Sequence, residues 1–266
     1  GMFRKNARDN NSSGAFEEAS DGVDPNRNFG YMWGYDNSGS SPTPTSGVYR
    51  GPSAFSEPET QALRDFCILH GFRVVQNFHT YHESTLYPFA YNGSATPDHI
   101  SFLRMADAMV RDNHYTYGGT VEILYAVNGD ANDWMYGEQT LKPKALAVTT
   151  EAGGENDGFW PAAARILPIA QENYAACLVQ GYTAGVFVHE DATALVSGDG
   201  WLHPFGAAEV ALVLRNDGPA PMPYSIGLHP GFRWPWGAGG ADGHTLVLSD
   251  DESPQVTATL PDLLRG

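Results

Sequence analysis

Eight side chains of types that bind metals, transfer protons or hold anions follow predicted strands or lie in tight loops. They are Arg4, Arg8, Asp24, Asn26, Arg27, His79, Tyr125 and Glu151. Strand ends and tight loops are the usual positions of binding and catalytic groups in α/β folds. Each residue taken singly also has a structural interpretation, because an isolated histidine is commonly structural and an arginine can pair with any surface carboxylate. The residue types alone therefore leave functional and structural roles open.

Alternating helices and strands are predicted to position these groups in the first part of the chain. Helical spacing of apolar residues predicts three helices, at about 56–70, 96–111 and 161–178. Short apolar runs predict three strands, at 72–78, 121–124 and 146–150. Each strand leads directly into one of the candidate groups, which are His79, Tyr125 and Glu151 in chain order.

Local signals predict the helix ends and a domain boundary. Ser56 is expected to cap the first helix and Gly71 to end it, whereas Pro168 is expected to kink the third. From residue 186 the pattern changes to short β-like runs separated by Gly, Pro and Asp turns. We therefore predict an α/β domain over 1–185, followed by a β-rich, sandwich-like segment over 186–266.

The composition excludes several classes of protein. The chain has 15 Lys and Arg against 31 Asp and Glu, and its formal charge of −16 argues against binding to nucleic acid phosphates. No apolar run approaches the roughly 20 residues of a membrane-spanning helix, so we expect no membrane partner. Cys67 and Cys177 are too few for a disulfide scaffold or a cysteine-ligated zinc site.

A series of short motifs occurs in a characteristic order along residues 2–181. The motifs are Phe3-Arg-Lys-Asn6, Gly22-Val-Asp-Pro-Asn-Arg-Asn28, Tyr49-Arg-Gly-Pro-Ser-Ala-Phe-Ser-Glu-Pro-Glu59, Phe78-His-Thr-Tyr81, Leu86-Tyr-Pro88, Tyr117-Gly118, Leu124-Tyr125, Asn128-Gly129, Asp133-Trp134, and Glu151 followed by Gly158-Phe-Trp-Pro161. In this order they resemble the zinc carboxypeptidases of the pancreatic carboxypeptidase A type. The resemblance implies an α/β fold, a mixed sheet with flanking helices, of which this chain lacks the first strands.

The resemblance also implies zinc-dependent hydrolysis of the C-terminal residue of a peptide. His79 would be a zinc ligand, and Glu151 would be the general base that takes a proton from a zinc-bound water. Asp24 would orient a zinc-ligating histidine through a hydrogen bond. By family resemblance, a secreted or periplasmic location is expected, although the first residues of the chain do not have the layout of a signal peptide.

Substrate-binding roles follow from the same resemblance. Asn26 and Arg27 would hold the terminal carboxylate of the peptide, Arg27 through charge-assisted hydrogen bonds. Tyr125 would close over the bound residue. The position at the floor of the specificity pocket falls on Asn132, a neutral polar side chain with Asp130 nearby. These residues predict neither a purely apolar nor a strictly basic preference.

Two departures from the family pattern affect the expected chemistry. The oxyanion-stabilising arginine of the family falls on Ala7, so Arg8, one residue later, is the nearest candidate and Arg4 is the alternative. The His-x-x-Glu motif that supplies two zinc ligands in the family does not occur among the nine histidines. We give His82 and Glu83 little weight as replacements. A zinc site with His79 alone should bind the metal poorly, since catalytic zinc uses three protein ligands.

The second segment resembles another family. Val213-Leu-Arg-Asn-Asp-Gly218 and Pro221-Met-Pro-Tyr-Ser-Ile-Gly-Leu-His-Pro-Gly-Phe-Arg-Trp-Pro235 are similar to motifs of the aldose 1-epimerases (galactose mutarotases). That resemblance implies that His229 is a general acid and that the segment binds a sugar. The carboxylate base of the family would lie beyond Gly266. A zinc carboxypeptidase, a carbohydrate-binding module or inactive chimera, and an active epimerase are therefore the competing interpretations.

Overall fold

The computed structural model describes residues 3–185 and, after them, four separate strands. The chain divides into two compact units, residues 1–184 and 185–266. The helices are α1 (Pro58–His70), α2 (His99–Met109), α3 (Thr120–Ile123), α4 (Ala131–Gly137), α5 (Ala163–Glu172) and α6 (Tyr174–Thr183). The strands of the first unit are β1 (Val74–His79), β2 (Ser84–Tyr87), β3 (Thr116–Gly119) and β4 (Leu146–Glu151).

The first unit contains a mixed four-stranded sheet in the order β1-β4-β2-β3. β1 runs parallel to β4, with Val74 opposite Leu146 and His79 opposite Glu151. β2 runs antiparallel to β4 and parallel to β3. Helices flank this sheet, so the predicted fold class, a mixed α/β sheet with flanking helices, is confirmed for this unit.

Strand β4 lies at the centre of the core because both of its faces are covered. Leu146 and Val148 pack with residues of α2 and α6 in one apolar cluster. Ala147 faces the other way, into a second cluster with Trp134 of α4 and Cys67 of α1. Alternate residues of a strand point to opposite faces, so a continuous apolar run is what a doubly covered strand requires.

The first helix begins and ends close to the predicted positions. Gly71 ends α1 in a left-handed conformation (φ +59°), and its N–H donates to the carbonyl of Cys67, as predicted for a C-terminal glycine. The predicted cap at Ser56 is wrong. Glu57 is the residue that precedes the helix, and the hydroxyl of Ser56 donates to the Glu57 carboxylate instead.

Two other predicted elements are also wrong. Residues 121–124 are not a strand, since Thr120–Ile123 forms the short helix α3 and the strand lies earlier, at β3. The third predicted helix is two helices separated at Asn173, and Pro168 lies inside the first of them. The Asn173 amide donates to the carbonyl of Ile169, which ends α5 and turns the chain into α6.

The second unit is described through its strands alone. They are β5 (Val188–Ser197), β6 (Glu209–Asn216), β7 (Thr245–Leu248) and β8 (Val256–Thr259). β5 pairs antiparallel with β6, and β7 pairs antiparallel with β8. His229 lies outside the described residues, and the resemblance to aldose 1-epimerases stays a prediction. None of the helices in the described part of the chain is long and apolar enough to cross a membrane.

Candidate active site

The parallel pairing of β1 with β4 brings His79 and Glu151 together at the carboxyl ends of the two strands. The two residues are register partners, and His79 Nδ1 lies 3.7 Å from Glu151 Oε1. The N–H of Ala152 donates to the carbonyl of His79, so the ladder continues to the very end of the pair. Backbone hydrogen bonds therefore hold the two residues side by side.

A short 3₁₀ turn, Pro25–Arg27, places three polar side chains beside that pair. Asp24 precedes the turn, and its Oδ1 accepts a hydrogen bond from the N–H of Asn26. The Oδ2 of Asp24 lies 2.7 Å from Arg4 Nη2 and 3.7 Å from Arg27 Nη1. Asp24 thus positions the positively charged guanidinium groups of Arg4 and Arg27 at the site.

Arg27 is almost completely buried but incompletely hydrogen-bonded. It is 3% exposed, and its Nη1 donates to the carbonyl of Asn26. Its Nε is buried without a hydrogen-bond partner among the described residues. A buried donor left unpaired is costly, so an anionic ligand that accepts from Arg27 would relieve this cost.

Six of the predicted groups line one cavity of about 430 Å³, a volume that includes its open mouth. The lining residues are Arg4, Asn26, Arg27, His79, Leu86, Thr120, Leu124, Tyr125, Val127, Asp130, Thr149 and Glu151. Asn26 also ties the turn to α4, because its Oδ1 accepts from the N–H of Ala131. Tyr125 is 56% exposed and belongs to the wall near the solvent.

Three predicted site residues of the described part of the chain, Asp24, Arg8 and Asn132, lie outside the lining of this cavity. Arg8, the nearest sequence candidate for the oxyanion arginine, forms an ion pair with Glu57 at 3.0 Å, whereas Arg4 lines the cavity. Asn132 is buried behind the wall, where its Nδ2 donates to Thr149 Oγ1 and its Oδ1 accepts from Asn77. Asn132 therefore supports a lining residue, and the polar group of this segment that reaches the cavity is Asp130.

Burial shifts the pKa values of both residues of the central pair. Desolvation raises the pKa of Glu151 to about 7, and the nearby charge of Arg4 opposes this shift. Desolvation lowers the pKa of His79, against the effect of Asp24. Glu151 can therefore exchange a proton near neutral pH, and His79 is held as the neutral imidazole that metals bind.

A catalytic zinc site is not complete among the described residues. Within the described part of the chain, no group of three or more His, Cys, Asp and Glu side chains could hold a metal ion. His82 and Glu83, the possible replacements, do not join His79 in such a group. His79 offers one imidazole where a catalytic zinc ion requires three protein ligands, so the described residues do not fit zinc.

Sequence reasoning missed the walls of the cavity. Leu86 lies on β2, Thr149 lies on β4, and Thr120 begins α3 after β3. Leu124 and Val127 lie on the segment that follows α3. These residues carry no catalytic groups. They could have been predicted only from their position at or near the ends of the helices and strands that surround the site.

A comparison with models of known protein families also bears on the class of this protein. The family model for zinc carboxypeptidases matches residues 1–176. The chain therefore belongs to the zinc carboxypeptidase family.

Curated relatives support the same assignment over part of their length. Zinc carboxypeptidase A 1 of Anopheles gambiae is 33% identical over 162 residues, which are 57% of this chain and 36% of that protein. Mast cell carboxypeptidase A of Mus musculus is 34% identical over 179 residues, covering 64% of this chain and 40% of that protein. Carboxypeptidase B of Astacus astacus is 30% identical over 161 residues, 58% and 52% of the two chains. The chain spans about two-fifths to half the length of these relatives.

Solved structures show the same fold. Bovine thrombin-activatable fibrinolysis inhibitor, solved in complex with a tick carboxypeptidase inhibitor, superposes with a TM-score of 0.58 at 25% identity, covering 67% of this chain and 60% of that one. Carboxypeptidase A of Helicoverpa armigera gives a TM-score of 0.57 at 24% identity, covering 67% and 45% of the two chains, and indicates the fold alone.

Proposed function

We propose that residues 3–185 form the part of a metallocarboxypeptidase site that binds the C-terminal carboxylate of a peptide and accepts the proton of the attacking water. The observation that carries the proposal is the convergence of Arg27, with its unpartnered Nε, and the pair His79–Glu151 on one cavity. The similarity to zinc carboxypeptidases supports hydrolysis of C-terminal residues as the reaction.

Carboxylate binding is assigned to Arg27 and Asn26. The guanidinium of Arg27 is already positioned by Asp24 and by the carbonyl of Asn26, so little side-chain freedom is lost when an anion binds. Tyr125 lies on the exposed side of the cavity, where its ring can cover a bound residue. Together these groups would place the last residue of a peptide in the cavity, with its scissile bond towards Glu151.

Proton transfer is assigned to Glu151. A pKa of about 7 leaves the carboxylate able to take a proton and to return it to the leaving amine at neutral pH. Arg4 is the cation that we assign to the negative charge developing on the scissile carbonyl, because it lines the cavity and Arg8 does not. Asp24 positions Arg4 through the ion pair of 2.7 Å.

Zinc requires ligands in addition to His79. By resemblance, the family takes two of them from a His-x-x-Glu motif, which this sequence does not contain. We therefore assign no step of the reaction to the metal. The intact chain is expected to bind zinc weakly and to hydrolyse peptides slowly, unless a segment outside the described residues supplies the remaining ligands.

The test combines zinc analysis, binding and hydrolysis on the intact chain. Zinc content is measured by mass spectrometry, and binding of an N-blocked dipeptide is measured with Arg27→Gln as the variant. We expect Arg27→Gln to weaken binding about 10- to 100-fold, because a charge-assisted hydrogen bond to a buried group is lost. The same dipeptide with an amidated C-terminus should bind weakly to both proteins.

Arg111→Gln provides the matched control, since Arg111 is exposed on the surface and pairs with Asp107. Any turnover that the chain shows should disappear in Glu151→Gln, whereas carboxylate binding should persist in that variant. Equal affinity of the wild-type protein for the free and the amidated dipeptide would refute carboxylate recognition.

A further inference from the structure

A second cavity lies between the 3₁₀ turn, the beginning of α1 and the beginning of α4. Its volume is about 440 Å³ including its open mouth, which limits a ligand to the size of a small molecule. Arg27, His79 and Glu151 do not line this cavity, so it is separate from the candidate active site. Four of its lining residues are apolar, namely Pro25, Phe29, Leu63 and Ala131.

The apolar wall of the second cavity is in place before any ligand binds. Phe29 is 3% exposed, and its ring packs edge-to-face on Phe55 at 5.7 Å and against Trp134 at 5.9 Å between ring centroids. Ala131 is fixed by the hydrogen bond from its N–H to Asn26 Oδ1. A preformed cavity costs little to occupy, and an aromatic wall favours an aromatic ligand.

The charged group in the lining is the carboxylate of Glu59, on the first turn of α1. Asn26 already uses its Oδ1 for the N–H of Ala131, and the hydroxyl of Thr60 is hydrogen-bonded in the core. Glu59 is exposed, and Asn6 Nδ2 donates to its Oε2 over a long distance of 3.3 Å. The cavity therefore combines an apolar interior with a carboxylate at its mouth.

The charge of Glu59 is not balanced by a nearby cation. Arg8 forms its ion pair with Glu57, at 3.0 Å. Asn6 Nδ2 donates to both Glu57 and Glu59, which brings the two carboxylates close together. Among the described residues, no lysine or arginine forms an ion pair with Glu59. Two carboxylates therefore share one arginine, and an added positive charge would be attracted.

We infer that this second cavity binds a small arylalkyl ammonium ion, with its aromatic ring against the apolar wall and its ammonium group at Glu59. A neutral ligand of the same shape would lack the attraction to Glu59, and an anionic one would be repelled. The inference does not rest on the proposed function, because Arg27, His79 and Glu151 do not line this cavity.

The experiment compares three ligands that share a phenyl ring and differ in the end group: 2-phenylethylamine, 2-phenylethanol and 3-phenylpropanoate. Each is titrated into the full chain carrying ¹³C-labelled Leu and Ala methyl groups, and NMR follows the methyl signals of Leu63 and Ala131. We expect the amine to bind about two- to fivefold more tightly than the alcohol, because ion pairs with an exposed carboxylate are weak. This preference should shrink as salt is raised from about 0.02 to 0.5 M.

Two charge variants test the role of the carboxylate. Glu59→Gln should remove the preference for the amine and leave the affinity for the alcohol unchanged. Asp65→Asn is the matched control, since it removes the same charge from the same helix at a carboxylate that pairs with Arg64, and it should keep the preference. Glu59 and Asp65 are both exposed, so neither variant is expected to disturb the fold.

Two apolar variants test the wall, with binding measured at the Ala131 methyl group. Leu63→Ala should weaken binding of all three ligands, whereas Leu69→Ala, at a 78% exposed position of the same helix, should not. The inference is overturned if the Leu63 and Ala131 signals do not shift, or if the amine and the alcohol bind equally. It is also overturned if the preference for the amine survives Glu59→Gln or disappears in Asp65→Asn.

Discussion

At the residue scale, Glu151 shows how burial determines when a carboxylate is charged. Its side chain is enclosed at the end of β4, and desolvation raises its pKa from the ordinary value of 4.5 to about 7. The native state therefore keeps a proton that the unfolded chain releases above pH 4.5. By linkage, this group contributes most to stability below pH 4.5, and its contribution decreases as the pH rises towards 7.

Glu151→Gln is accordingly expected to stabilise the protein at pH 8 by about 2–3 kcal/mol relative to wild type. The gain should shrink as the pH falls and vanish well below pH 4.5, where the carboxyl is protonated in both the native and the unfolded wild-type protein. Urea denaturation of both proteins across this pH range measures the difference. Glu155→Gln, on the exposed loop that follows, should show a difference within about 0.5 kcal/mol at every pH. A constant difference between Glu151→Gln and wild type would contradict the pKa shift.

Some residue positions could be predicted from the sequence and others could not. His79 and Glu151 end apolar runs that form strands, so their place at the carboxyl ends of β1 and β4 follows from local pattern. The choice between Arg4 and Arg8 depends on partners far along the chain. Arg8 bonds Glu57, 49 residues away, and Arg4 bonds Asp24, 20 residues away. A single sequence contains no local signal for contacts of this range.

At the element scale, Gly129 is the point where the loop before α4 meets the carboxylate-binding turn. Gly129 has φ +70°, and its carbonyl accepts from the N–H of Phe29. A Cβ atom at this position would lie 2.5 Å from the carbonyl oxygen of Arg27. The missing side chain therefore allows Arg27 and Asp130 to line the same cavity.

Gly129→Ala is expected to destabilise the protein by about 2–4 kcal/mol and to weaken dipeptide binding, because it combines a positive φ with a backbone clash at Arg27. Gly14→Ala is the matched control. Gly14 also has a positive φ (+78°), but nothing lies within 4 Å of its added Cβ. Gly14→Ala should lower the free energy of unfolding by about 1 kcal/mol and leave dipeptide binding unchanged. Thermal unfolding measures the change in stability, and calorimetry measures the change in dipeptide binding. Equal losses of stability and binding in the two variants would exclude the backbone clash as the cause.

The elements that sequence reasoning missed are those set by tertiary contacts. The run at 121–124 is apolar, but four residues are too few to distinguish a helix from a strand by periodicity. In the structure the preceding Thr116–Gly119 pairs with β2, and the chain turns into α3 immediately afterwards. Likewise, the break at Asn173 depends on side-chain bonds to Ile169 and Tyr115, which the residue type alone does not reveal.

At the scale of the whole molecule, the edge strand of the first unit's sheet favours self-association, and the large negative charge of the chain opposes it. β1 lies at an edge of the four-stranded sheet of the first unit, and Phe78 on it is 50% exposed. Edge strands with apolar side chains are templates for pairing with other chains. The net charge of −16 opposes such association through repulsion, which salt screens.

We therefore predict self-association that increases with ionic strength, measured by sedimentation velocity between about 0.05 and 0.5 M salt, where the Debye length falls by a factor of about three. Phe78→Glu should reduce it, because a charge on the edge strand disfavours pairing. Leu141→Glu adds the same charge at an exposed apolar residue outside the sheet and should reduce it less. A monomer at all salt concentrations, or equal effects of the two variants, would contradict an edge-mediated contact.

The register of β1 against β4 limits how the site can change over evolution. His79 and Glu151 are opposite each other in a parallel ladder, and each ends its strand. Inserting or deleting one residue within either strand would turn the following side chain to the other face of the sheet. We therefore expect that these two strands do not tolerate changes in length.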